Sequence, residues 1–359
     1  MIYQFKKIFL FTFIFVVLFI SSKIIVNNNF QILKNNKHES FFIFYNKLNE
    51  NYKLQLSNIK NDNLCENIKN KKIDRHHLRW VFEGFRISLL EMIYSKFKSK
   101  KLLNYFFSFS IFLILLISFL FSLMTSSLLS NKKLNSLNEK NILISFFVYV
   151  FLLSLYSFRE VSEIRFSFYE MLFLSAGIYF AVKKYFFLYL ITCIFAVLNR
   201  ESGIISTSLW FIFNFDFLKQ KKILSKINIK NFMISFFTFV LTLFALVIVN
   251  KEIFSCGFQP QLFMHVDVQD TRVFEQNLFS FRVINSFITN FLLVFFFIIF
   301  YWYENKNQLK IILLVLIYSF IFLFFTPIDH YILRIIFIPF ITIYICNYLF
   351  HSEEFKKNI

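Results

Sequence analysis

A chain of 359 residues that is 57% hydrophobic, with a mean hydropathy of +0.60, carries more apolar side chain than one soluble core can bury. That excludes a single water-soluble globule and points to an all-α, polytopic membrane protein. The formal net charge of +18 points to anionic lipid headgroups or phosphate-bearing substrates as partners, and not to nucleic acid, because no nucleic-acid recognition motif accompanies it. The 59 phenylalanines come with abundant Lys, Asn and Ile, as coding bias toward A and T produces, and are read as composition and not as a binding surface.

The N-terminus opens with a basic stretch, 1–7, followed by an apolar run over 8–26. No small-residue cleavage site follows, so the run reads as an uncleaved first span. Residues 27–101 are polar and rich in Asn and Lys. Within them, 80–97 alternates apolar and charged residues, with Glu83, Arg86 and Glu91 near one helical face, the pattern of an interfacial helix. Nine further spans are expected near 102–129, 141–157, 166–182, 184–199, 203–218, 231–250, 283–302, 310–326 and 330–349. Three of these are short for a crossing of ~20 residues. No repeat, heptad or linker divides the chain, so 1–359 reads as a single transmembrane domain.

Charge orients this map. Segments assigned to the cytoplasm hold sixteen Lys and Arg, and the short segments assigned outside hold six. That asymmetry places both termini inside. Of four cysteines, Cys193 and Cys346 fall in apolar runs, while Cys65 and Cys256 both fall outside, which leaves one disulfide open between them.

Charged residues gather on the outer face. The middle of the chain carries two such corners, Arg159, Glu160, Glu163 and Arg165 in one, Arg200-Glu201 in the other, at the far ends of two apolar runs joined by Lys183-Lys184. Earlier come His38-Glu39 with Tyr45, and Asp74-Arg75-His76-His77-Leu78-Arg79-Trp80. Later come Asp267, Asp270, Arg272, Glu275 and Arg282, then Asp329-His330-Tyr331 with Arg334 and Pro339. Carboxylates can act as general bases, and arginines clamp phosphate oxygens in bidentate fashion. That combination suits a reaction on a phosphate-linked substrate presented from the lipid. A bland alternative applies to each charge, which can simply be solvated or paired at a membrane boundary. No metal is expected: His76 and His77 are adjacent and point about 100° apart on a helix, and no other ligand is spaced to join them. Four glycines exclude a Gly-rich phosphate cradle, and no cofactor motif is present.

The order of these features resembles the GT-C superfamily of polytopic glycosyltransferases, in particular its poorly characterised bacterial members. The elements that carry the likeness are Glu39 in HESFFIFY, Arg79 in HHLRW, Asn199-Arg200-Glu201-Ser202-Gly203, and DHYILRIIFIPF with Arg334 and Pro339. The likeness covers most of the chain, and each motif alone is short. Glu39 stands where the family more usually has Asp, and a Pro commonly found after the Arg element is absent. The resemblance implies a GT-C-like bundle of about ten spans in the bacterial inner (plasma) membrane. It implies a polyprenyl-phosphate-linked sugar donor, a glycan, lipid or protein acceptor, and transfer on the outer face. Glu39 would be the catalytic base, with Arg79, Arg159, Glu160, Arg165, Arg200, Glu201 and Arg334 around the phosphate and substrate. Two other classes compete: an O-antigen-type polymerase or ligase, which usually carries its large loop late in the chain, and a non-enzymatic transporter or assembly subunit, which tends to show repeats and midplane charges. Here the largest loop is the first, and the spans are nearly free of charge, with Glu170 the main exception.

The orientation has a direct test. A reporter fused after Lys222 is expected to read cytoplasmic and one within 255–270 external; the opposite pattern would invert the map.

Overall fold

A computed structural model describes residues 2–35, 100–130, 139–157, 164–199, 201–215, 226–254, 310, 311, 314 and 332–357. The described residues are helical, with no strand among them. The helices are α1 (Ile2–Asn35), α2 (Lys100–Leu129), α3 (Glu139–Ser157), α4 (Ile164–Lys183), α5 (Phe186–Asn199), a 3-10 helix (Glu201–Ser208), α6 (Leu209–Asn214), α7 (Lys226–Phe254) and α8 (Ile332–Lys357). The interfacial helix expected over 80–97 and the span over 283–302 lie outside the described residues, as does nearly all of 310–326.

Three stretches are long and apolar enough to cross a membrane: Ile8–Asn27, Ser108–Leu129 and Ile227–Ile248. Burial along α7 is inverted relative to a soluble helix. Along α7 the buried positions include Asn228, Asn231, Ser235, Thr238 and Thr242, while Phe232, Met233, Phe236, Phe237 and Phe244 are exposed. An apolar exterior over a polar seam is the arrangement lipid demands, because hydrocarbon solvates Phe well and leaves polar groups to find partners inside the protein. On α1 the same logic buries Leu10, Ile14, Leu18 and Ile25 as one stripe and exposes Phe9, Phe11, Phe15 and Ile20. The chain is a helical membrane protein.

Side-chain contacts set the helix directions. Phe15 meets Phe112 with ring centroids 4.5 Å apart, and Lys23 lies over Tyr105, so α1 and α2 are antiparallel. Phe119 meets Phe146, and the Tyr149 hydroxyl donates to Leu115 O at 3.0 Å, so α2 and α3 are antiparallel too. At the next hairpin, Lys184 takes φ 61° after α4. Its N–H reaches Ala181 O and the Tyr185 N–H reaches Phe180 O, a Schellman closure with Lys in the position Gly usually holds. The left-handed Lys costs about 1–2 kcal/mol. In return, the exposed Lys183-Lys184 pair sits beside the negative end of the α4 dipole. This end of the bundle is called the turn side here, and the end at Asn199 and Glu201 the corner side.

The return leg is the least regular part. The eight-residue 3-10 helix passes into α6 at Ser208–Leu209. That change of pitch strands backbone groups, and side chains take them up. The buried Tyr189 hydroxyl accepts the Trp210 N–H at 3.1 Å and shares its own proton between Ser206 O and Thr207 O, both at 2.8 Å. Ser235 Oγ on α7 accepts the Phe211 N–H at 2.9 Å. Asn214 donates to Ala181 O, Asn231 donates to Asn214 O, and Lys310 Nζ donates to Phe213 O at 2.7 Å. The described part of the span expected over 203–218 is therefore a 3-10 helix joined to one short α-helix, tied to α4, α5 and α7.

Helix α8 is buried continuously over 338–347 and packs on α2, α3 and α4. A helix buried on all sides over such a stretch belongs in the middle of a bundle. Pro339 lies inside it and removes one helix hydrogen bond, which neighbouring helices can tolerate in a membrane interior.

Tyr189→Phe deletes the hydroxyl that serves three backbone groups. It is expected to cost about 1–2 kcal/mol, read as a lower Tm in detergent, while Tyr185→Phe on the exposed turn leaves Tm unchanged.

Candidate functional site

Helices α4 and α5 form an antiparallel hairpin whose register is fixed at two levels. Phe173 and Phe195 meet with ring centroids 6.0 Å apart, and a Cβ on Gly177 would stand 3.8 Å from Thr192 Cγ2. Carried toward the corner side, this register sets Glu170 level with Leu198 and Asn199. Glu170 is six residues inside the start of α4, roughly 9 Å along its axis. Helix α5 is 14 residues long, so it ends well short of the start of its 20-residue neighbour. Helix α5 therefore ends at Asn199 below the level at which α4 starts, and the corner is recessed to that extent.

Two polar side chains mark that depth. Glu170 and Asn199 are both 0% exposed, one on each helix of the hairpin. A carboxylate inside a membrane bundle is costly, and by default it marks function or a structural pairing. Asn199 is followed at once by the Arg200-Glu201 pair.

The return from the corner depends on Gly203. The 3-10 helix lies so close to α5 that a Cβ at position 203 would overlap the Ala196 carbonyl and the Val197 nitrogen. These are backbone atoms of a helix and cannot step aside as a flexible side chain would. After it, Ser206, Thr207 and Ser208 each donate a side-chain hydrogen bond three residues back, to Gly203 O, Ile204 O and Ile205 O, at 2.6–2.8 Å. At ~2.0 Å per residue the 3-10 segment covers more depth than an α-helix of the same length. That carries a short segment back through the bundle. Ile204 also packs with Val197, Leu198 and Leu246 in a small apolar cluster joining the corner to α7.

Of the residues singled out from the sequence, Arg165 is the second residue of α4, Glu201 the first of the 3-10 helix and Arg334 the third of α8. Arg165 and Glu201 stand where the hairpin's two legs meet the corner side. Glu39, Arg79, Arg159, Glu160 and Arg200 lie outside the described residues, as do Cys65 and Cys256. Cys193 and Cys346 are buried and free. Among the described residues no group of three His, Cys, Asp or Glu could hold a metal ion.

Asn199 was legible only as a letter of the Arg-Glu-Ser-Gly motif, and Glu170 only as an odd charge in an apolar run. Joining them requires the hairpin register, which apolar composition does not encode. Comparison with protein-family profiles, with curated proteins and with solved structures returns no match for this chain. The GT-C resemblance therefore rests on the order of the motifs.

The two hairpin glycines should behave differently. Gly203→Ala sets a methyl against backbone and is expected to cost on the order of 4 kcal/mol or more, seen as loss of folded protein after detergent extraction. Gly177→Ala meets side chains alone, the tip of Leu209 at 3.2 Å and Thr192 Cγ2 at 3.8 Å, and should cost less than about 1–2 kcal/mol.

Proposed function

We propose that this chain is a GT-C-like membrane glycosyltransferase of about ten spans, N-in and C-in, in a bacterial plasma membrane. It moves a sugar from a polyprenyl-phosphate-linked donor to an acceptor on the outer face. The observation that carries this reading is the recessed corner, where a fully buried carboxylate and amide stand level with the start of an Arg-Glu pair at one end of an apolar hairpin. A lipid-linked phosphate enters from the bilayer at that depth, and a polar recess beneath the rim is where its headgroup can leave hydrocarbon.

In the proposed reaction the acceptor hydroxyl oxygen bonds to the anomeric carbon as the bond from that carbon to the phosphate oxygen breaks. The acceptor proton passes to the Glu39 carboxylate, and polyprenyl phosphate leaves. Charge grows on the departing phosphate, which is where positioned arginines stabilise the transition state more than the ground state. Arg200 and Arg79 take that role, with Arg159, Arg165 and Arg334 as further cations around the headgroup. Glu160 and Glu201 orient the arginines or the sugar. Glu170 and Asn199 set the floor from which residue 200 begins.

Membrane vesicles supplied with polyprenyl-phosphate sugars test the reading. Glu39→Gln is expected to lower transfer by ~10²–10⁴-fold with the protein still inserted. Arg200→Lys should also impair it, since a point charge does not replace a guanidinium fork. Full activity in Glu39→Gln, with Arg200→Ala lowering only expression, would replace this assignment with a non-enzymatic one.

A further inference from the structure

A second polar feature lies toward the turn side, away from the corner. On α2, Ser118, Ser122, Thr125, Ser126, Ser127 and Ser130 are all buried. Facing them are Asn141 and Ser145 of α3 and Thr342, Cys346 and Asn347 of α8, also buried. Small hydroxyl residues let helices approach closely in a membrane, and much of this seam is explained that way. Ser126 Oγ contacts Ile343 O at 3.1 Å, and the Asn141 amide donates to Leu349 O at 3.0 Å.

Close packing does not explain Asn347. Its side chain is 0% exposed, and neither its Oδ1 nor its Nδ2 makes a hydrogen bond. It follows Ile343 by one helical turn, so it shares the α8 face that Ser126 touches. Thr125, next to Ser126 on α2, is likewise 0% exposed with its Oγ1 unpaired. Two unmatched polar side chains thus flank one interhelical contact. The serines and threonine around them cannot donate to the Asn347 carbonyl oxygen. Ser122 donates back to Ser118 O, Ser126 to Ser122 O, Ser130 to Ser127 O, Ser145 to Asn141 O and Thr342 to Ile338 O. With their protons engaged, these hydroxyls can only accept.

We infer that the seam between α2, α3 and α8 is a water-binding site, with ordered water held against Asn347 and Thr125. Water offers both a donor and an acceptor to these groups. It can accept from the Asn347 amide while donating to its carbonyl oxygen or to a serine lone pair, which no purely accepting or purely donating ligand can do. The turn-side end is polar enough to admit it. Ser130 and Asn141 lie there, and Glu139 at the start of α3 has a buried Oε1 without a hydrogen bond, beside exposed Lys140. The site is independent of sugar transfer, and its test uses no activity.

The chain carries its own pair of reporters. Cys346 lies beside the Ser126 and Ser145 hydroxyls in the seam, while Cys193 is equally buried in the α4–α5 hairpin. Radiolysis of the full chain in lipid nanodiscs generates hydroxyl radicals from water at its bound position, and mass spectrometry reads the oxidised side chains. Cys346 is expected to be oxidised severalfold faster than Cys193, and Asn347→Leu to bring the two rates together. Equal rates in the unaltered chain would overturn the inference. So would a Cys346 rate that Asn347→Leu leaves unchanged. Thr125→Val, which removes the other unmatched group while keeping its shape, serves if the Leu variant fails to insert; an unchanged Cys346 rate there counts against the site equally.

Discussion

The Ala196 carbonyl leaves no room for a side chain at position 203, and the middle of the bundle depends on that contact. Because the 3-10 helix can lie directly on α5, the chain reverses within a few residues and returns beside the helix it has just left. The return brings Ser206, Thr207 and Trp210 to the Tyr189 hydroxyl. It also presents Trp210, Phe211 and Asn214 to the polar stripe of α7. A side chain at 203 would separate the two legs, and each of those bonds would lose its partner. The same closeness fixes the depth at which the return leg begins, at Glu201, relative to the end of α5 at Asn199.

A second regularity runs through the structure: buried polarity is spent on backbone. Tyr149, Ser126, Asn141, Asn214 and Lys310 each bond a carbonyl of another helix or segment. In hydrocarbon the hydrophobic effect gives helices little reason to associate, so packing and such bonds specify which faces meet. Exposed aromatic faces on α1 and α7 suit contact with lipid. Glu170, Asn199 and Asn347 are further fully buried polar side chains, and they lie at two separate places in the bundle.

Much of the fold was legible in the sequence, because apolar runs must form helices in a membrane. The runs over 8–26, 102–129, 141–157, 166–182 and 231–250 all fall in helices, several of them longer than the runs, and the run over 184–199 does so from Phe186 onward. What composition could not give is pitch and register. The 203–218 run looked like one more helix, yet its Ser-Thr-Ser cluster and Gly203 stabilise a 3-10 segment whose form depends on contact with α5. The alternation of polar and apolar faces on α7 was also hidden, since Asn and Thr in a Phe-rich run lower hydropathy only slightly. At the corner, the sequence marked Arg200 and Glu201 by their charge, whereas the depth at which α5 ends beside α4 follows from the unequal lengths of the two helices.

The proposed assignment places a lipid-borne phosphate in the recess at the corner side. Photocrosslinking tests this most directly, with a polyprenyl phosphate carrying a diazirine near its headgroup and labelled peptides mapped by mass spectrometry. The account predicts label concentrated at the start of α4 and at 199–203, and displaced by excess unmodified polyprenyl phosphate. Label spread over the exposed faces of α1 and α7, and undiminished by competitor, would contradict it.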